Sequence, residues 1–170
     1  MYLLLVILVY IFFAKIFVDW KKWKEYYPTI QYFIISNMLY NFIFYQHTLW
    51  AYKAVTVKWL NHTLIELVFS FFIIPVVIMI YLRYLPKGKK ILVYIGIWVA
   101  YFSFLEFLFV KKGIFIYENG WGIIWSTLFN IILFGMVTIH YKRPMAALIL
   151  SVPVMAVLLF IFHPSLSELK

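Results

Sequence analysis

Two carboxylates lie inside long apolar stretches of the sequence. Glu66 lies about one turn into one such stretch, and Glu106 lies about one turn before the end of the next. A charged side chain at the centre of a membrane helix costs about 2.5–3.5 kcal/mol on insertion scales, so both are functional candidates. They can bind a cation or proton, or act as general acid or base. In the structural alternative, each carboxylate reaches water at the interface or pairs with Lys111 or Lys112.

Neutral polar residues are expected near the same depth. His62 precedes Glu66 by four residues, which places both on one helix face, and Asn37 and Asn41 share a face in the same way. A pocket in one half of a helix bundle, lined by the second to fifth apolar stretches, is therefore predicted, although such residues also serve as hydrogen-bonding links between helices. The candidate ligand- or ion-binding residues are Glu66, Glu106, His62, Asn37, Asn41, Asn130 and Glu118.

The sequence contains no recognisable catalytic or cofactor motif. There is no cysteine, which excludes thiolate metal sites and thiol catalysis. His62 and Glu66 have the right spacing for two metal ligands, but the sequence around them lacks the second histidine of a zinc-protease helix. No nucleophile elbow or phosphate-binding loop is present. We therefore predict no catalytic residues, no metal and no cofactor.

The elements that carry these residues are predicted membrane spans. The chain has 170 residues, of which 66% are hydrophobic and only 12% charged, too apolar for a soluble domain of this size. Short connectors join the apolar stretches and favour antiparallel neighbours. We predict one all-α domain over residues 1–170, a polytopic up-and-down bundle of six transmembrane helices, with five as the alternative. The predicted spans are about 2–18, 29–50, 63–82, 91–110, 121–139 and 145–162.

The basic residues predict an orientation for this bundle. Ten of the fifteen Lys and Arg residues lie in or beside the connectors 19–28, 83–90 and 140–144, and five lie toward the other side, Lys58 and Lys170 among them. The positive-inside rule then places the three connectors in the cytoplasm and both termini outside. The net charge of +9 is explained in this way, so the expected partner is the lipid bilayer and not nucleic acid.

Several short motifs resemble a protein family. They include Tyr26-Tyr27-Pro28-Thr29, Trp50-Ala51-Tyr52, and the run Tyr-Leu-Arg-Tyr-Leu-Pro that ends at Pro86. The others are Pro75, Glu106, Glu118-Asn119-Gly120-Trp121, Ser126 and Lys142-Arg143-Pro144. Together they resemble small multi-pass membrane proteins of endospore-forming Firmicutes. The resemblance implies a bacterial plasma-membrane protein and brings no known activity, cofactor or catalytic residue.

Three functions are compatible with the sequence. The favoured one is a non-enzymatic accessory, sensory or assembly component, with a homo-oligomer or a larger membrane protein as possible partner. The second is a small cation- or proton-coupled transporter or channel that uses Glu66 and Glu106. The third is a membrane enzyme that acts on a lipid, with one of these carboxylates beside His62.

Overall fold

A computed structural model describes residues 2–53 and 61–162. This part of the chain is 80% helical with six helices, which confirms the predicted all-α class. The helices are α1 (Tyr2–Phe17), α2 (Trp23–Ile43), α3 (His62–Arg83), α4 (Lys90–Lys111), α5 (Ile123–Lys142) and α6 (Pro144–Phe162). Two short strands, β1 (Trp50–Tyr52) and β2 (Phe115–Tyr117), join the second and fourth connectors.

Four of these helices, α3 to α6, are long and apolar enough to cross a membrane. The count becomes five if α1 and the helical stretch Trp20–Ile43, which meet at 87°, are one bent span. Because the two helices meet at 87°, the antiparallel arrangement that the short connector predicts for α1 and α2 is wrong. With 16 residues, α1 is about 24 Å long and shorter than the roughly 30 Å of hydrocarbon.

Helix α2 begins and ends earlier than the predicted span 29–50. Helical structure already starts after Asp19, whose side chain accepts a hydrogen bond of 3.2 Å from the Lys21 backbone N–H. The other end is set by Tyr40, whose hydroxyl accepts a 3.1 Å hydrogen bond from the Leu49 backbone and whose ring stacks on Trp50 at 4.3 Å. These contacts fold the chain back over the end of α2.

Helix α3 runs through the centre of the molecule. Its second half is buried on nearly every side, including Val76 to Met79 and Tyr81. The Tyr81 hydroxyl lies 2.6 Å from Thr138 Oγ1, which links α3 to α5. A helix that is apolar all round belongs in the core of a bundle, and α1, α2, α4 and α5 accordingly pack around this segment.

The structure brings the first, third and fifth connectors to one end of the bundle. Arg83 at the end of α3 donates a 2.7 Å hydrogen bond to the Phe17 carbonyl at the end of α1. At the same end, the Tyr141 hydroxyl of α5 donates to Glu25 of α2. We call this the basic end, and the end that carries β1 and β2 the strand end. Lys58 and Lys170 of the charge count lie outside the described residues.

Candidate functional site

A cavity of about 950 Å³ lies between the helices and is walled mainly by α2, α5 and α6. It is partly open to the surroundings, since Ile35 and Val152 of its wall are 62% and 69% exposed. Most of its wall is apolar, with Phe102, Leu133 and Val152 as examples. Its polar lining residues form two groups, one toward each end of the molecule. The polar lining comprises Tyr10, Gln31, Tyr32, Ser36, Asn37, Tyr40, Tyr52, Glu66, Glu106, Ser126, Asn130, His140 and Ser151.

Glu66 is held at the strand end of the cavity by two asparagines of α2. Asn37 Nδ2 donates to Glu66 Oε1 at 2.7 Å and to Ser70 Oγ at 2.8 Å. Asn41 Nδ2 lies 3.4 Å from the same Oε1 and 2.9 Å from the Asn37 carbonyl oxygen. The face predicted for Asn37 and Asn41 therefore meets Glu66 through neutral donors, and α2 is tied to α3 at this depth.

A π-helical turn over Phe69–Ile73 follows Glu66 in α3. Pro75 lies just after this turn and has no N–H group to offer the carbonyl one turn back, which favours local widening of the helix. In this turn the Ile74 N–H reaches back five residues to the Phe69 carbonyl. The turn carries Ser70, so the irregular segment itself bears one acceptor of the Asn37 bonds.

Glu106 is held by groups from the other side of the cavity. The Tyr117 hydroxyl of β2 donates to Glu106 Oε1 at 2.7 Å. Ser126 and Asn130 of α5 lie close enough to interact with the same carboxylate. Burial, the hydrogen bond to Glu106 and the charge of that carboxylate raise the pKa of Tyr117, so it remains a neutral donor. Lys111, offered by the structural alternative, is exposed at the end of α4.

The two strands place aromatic rings beside both carboxylates. The strands are antiparallel, with Trp50 opposite Tyr117 and Tyr52 opposite Phe115. Directly opposed residues share one face of a strand pair, and Trp50, Tyr52 and Phe115 line the cavity. Burial and then the charges of Glu66 and Glu106 raise the pKa of Tyr52, which places this ring within electrostatic reach of both carboxylates.

A second polar group lines the cavity toward the basic end. His140 is 6% exposed; its Nδ1 lies 3.0 Å from Thr29 Oγ1, and its ring stacks on Tyr32 at 4.3 Å. The Tyr32 hydroxyl lies 2.7 Å from Ser151 Oγ on α6. The pocket predicted for one half of the bundle thus extends farther than expected and includes α6 in its wall.

The remaining predicted residues have different surroundings. Asn130 is buried in the cavity wall, whereas Asn41 supports Glu66 from outside it. His62 Nδ1 accepts a 3.1 Å hydrogen bond from the Tyr52 backbone. Glu118 is exposed, accepts a 2.9 Å hydrogen bond from Thr48 and lies outside the cavity wall.

Sequence reasoning missed four residues that the structure brings to the cavity or its carboxylates: Tyr32, Tyr52, Tyr117 and His140. The Trp-Ala-Tyr and Phe-Ile-Tyr triplets of the two strands alternate aromatic and smaller residues, and alternation is a strand signal that was available. His140 lies beside a basic connector, a position typical of an interfacial residue. Tyr32 carries no local signal that separates it from other aromatic residues of α2.

The site combines two carboxylates with neutral amides, hydroxyls and aromatic rings. Within residues 2–53 and 61–162, no three His, Cys, Asp or Glu side chains come together in a group able to hold a metal ion. Comparison of the chain with protein-family models, curated proteins and solved structures finds no match. Fold and site therefore define a class: a helical protein with several helices apolar enough for a membrane and a cavity between them.

Proposed function

We propose that this chain is a non-enzymatic integral membrane protein that binds a small, mostly apolar molecule inside its helix bundle, in a sensory or accessory role. The observation that carries the proposal is the cavity of about 950 Å³, at the upper end of the size range of small-molecule sites. An enzyme role has less support, because His62 is engaged by the Tyr52 backbone.

We further propose a bacterial plasma membrane and six helices within the bilayer, with α1 oblique. Exposed apolar side chains on α1, such as Leu4, Leu8 and Phe12, support contact with lipid. The grouping of three basic connectors at one end supports a cytoplasmic location for that end under the positive-inside rule. A larger membrane protein or a second copy is the proposed partner for the accessory role.

The experiment that tests ligand binding places a bulky side chain in the cavity. Ser36 lines the cavity, whereas Met38 on the same helix is 51% exposed and outside the cavity wall. We suggest equilibrium dialysis of a tritiated, uncharged phenylalkane against protein in nanodiscs, with empty nanodiscs subtracted. Wild type and Met38→Phe should bind one molecule per chain, and Ser36→Phe should not.

Two results would contradict this proposal. The first is the absence of saturable binding to wild-type protein above the empty-nanodisc background. The second is equal binding by Ser36→Phe and Met38→Phe, because a site on the lipid-facing surface does not require the cavity. Circular dichroism and gel filtration of both variants establish that the helices are retained.

A cation- or proton-coupled transporter is the second candidate. It is favoured by Glu66 and Glu106 in one cavity wall, with an irregular helix segment directly after the first of them. π-turns of this kind often occur at functional sites. Ion-coupled flux in proteoliposomes that disappears in Glu66→Gln and Glu106→Gln would support transport, and absence of flux with intact ligand binding would favour the sensory role.

A further inference from the structure

We infer that the molecule bound in this cavity is an organic cation, with its charged group between Glu66 and Glu106 and an apolar body extending toward His140. This inference rests on the proposed ligand-binding function and adds the chemical class of the ligand. The cavity defines the site, and the residues at its strand end define the charge that the site favours.

The first argument is the uncompensated charge at the strand end. All partners that the structure gives the two carboxylates within the described residues are neutral amides and hydroxyls: Asn37, Asn41, Tyr117, Ser126 and Asn130. Both asparagine contacts of Glu66 are made to Oε1. A carboxylate has about four acceptor positions on its two oxygens, so acceptor capacity remains for a cationic donor.

The second argument is the aromatic surface around these carboxylates. Tyr52 stacks on Phe69 at 4.7 Å and contacts Phe115 edge-on at 5.1 Å. Trp50 stacks on Tyr40 nearby, and all of these rings line the cavity. Aromatic faces attract alkylated ammonium groups through their quadrupoles, more strongly when water is excluded. Carboxylates and rings together favour an organic cation over an anion.

The third argument is the shape and lining of the remaining cavity. Ten residues of α5 separate Asn130 from His140, which corresponds to about 15 Å along the helix. The wall between them is apolar, with Leu133, Met136 and Val137 on α5. An inorganic ion held by oxygen ligands at the strand end would leave this apolar surface uncovered. An extended apolar body fits it, and His140 marks the far end.

Matched probes test this inference. One is 4-phenylbutyltrimethylammonium, and the other is its uncharged isostere with carbon in place of nitrogen. Both are titrated in tritiated form into the full chain in nanodiscs, with empty nanodiscs subtracted. We expect the cation to bind wild-type protein at least about tenfold more tightly than the isostere, as charge-assisted contacts would give.

Variants then assign the preference to the carboxylates. Glu66→Gln and Glu106→Gln should each weaken cation binding by about tenfold and leave isostere binding unchanged. Isostere binding also reports that the cavity is intact in each variant. Glu118→Gln is the matched control, because this carboxylate is exposed and outside the cavity wall, and it should bind both probes like wild type.

The outcomes separate this inference from the function on which it rests. Equal affinity of wild type for the two probes would overturn the cationic ligand while leaving cavity binding in place. Tighter binding of the uncharged isostere than of the cation would also overturn the cationic ligand and leave cavity binding in place. No saturable binding of either probe would overturn both the inference and the proposed function. The wild-type comparison decides the matter even if a glutamine variant fails to fold.

Discussion

The contact between Asn37 and Glu66 should be a measurable link between α2 and α3. A hydrogen bond to a charged group contributes about 1.5–3 kcal/mol in proteins, whereas interhelical bonds in membranes average about 0.6 and reach about 1.7 kcal/mol. The 2.7 Å distance and the charged acceptor place this bond near the upper membrane value. We therefore expect a coupling energy of about 1.5 kcal/mol between the two side chains.

The assay is a double-mutant cycle on the free energy of unfolding, measured by steric trapping in bicelles. It compares wild type, Asn37→Ala, Glu66→Ala and the double variant, which isolates the pairwise energy. A second cycle pairs Asn37→Ala with Glu106→Ala, whose partners lie on β2 and α5, and its coupling should stay below about 0.5 kcal/mol. Equal coupling in the two cycles would refute the assigned contact.

Two further predictions follow from single contacts, and a third follows from the common side of the basic connectors. Tyr117→Phe removes the donor to Glu106 and should lower the free energy of unfolding by about 1 kcal/mol in the same assay; no change would show that β2 does not hold this carboxylate. His140→Phe keeps a ring against Tyr32 but leaves Thr29 Oγ1 without its partner. It should therefore lower the free energy of unfolding by about 1 kcal/mol, and Thr29→Val in the same background should recover part of that loss. Because the chain has no cysteine, single cysteines at Lys22→Cys, Lys87→Cys and Lys142→Cys can be labelled in spheroplasts. All three should resist a membrane-impermeant maleimide that labels Lys112→Cys. Labelling of only some of the three would contradict their location on one side of the membrane.

The helices could be predicted from the sequence because each depends on local hydropathy. The predicted stretches 63–82, 91–110, 121–139 and 145–162 agree with α3 to α6 to within about three residues. The angle between α1 and α2 could not be predicted, since it depends on contacts with distant parts of the chain, such as the one between Arg83 and the Phe17 carbonyl oxygen. Hydropathy contains no term for such contacts.

The candidate site was predictable only in part. The common depth of Glu66 and Glu106 follows from their distances to the ends of neighbouring antiparallel helices, and Asn37 follows from helical spacing. The positions of Tyr52 and Tyr117 beside them depend on pairing between two connectors more than sixty residues apart in sequence. The cavity depends on the relative placement of α2, α5 and α6, which periodicity does not define.

The surroundings of Glu106 also decide between a structural and a ligand-binding role for this carboxylate. Its contact with Tyr117 contributes about 1 kcal/mol. Ser126 and Asn130, at about 0.6 kcal/mol each, bring the sum to roughly 2 kcal/mol. Burying the charge costs up to about 2.5–3.5 kcal/mol, so these bonds do not clearly offset it. Glu106→Gln should therefore leave the free energy of unfolding unchanged or raise it by up to about 1 kcal/mol.

A structural ion pair would give the opposite result. If Glu106 served to bind a cationic side chain of its own chain, such as Lys111, its neutralisation would cost about 3 kcal/mol or more when the pair is buried. The unfolding assay on Glu106→Gln in ligand-free bicelles distinguishes the two, and a loss above about 1 kcal/mol would contradict the ligand-binding role. A ligand-binding carboxylate is expected to lower the stability of the empty protein and to bind a cation when one is supplied. The reason is that its charge is compensated only in the complex.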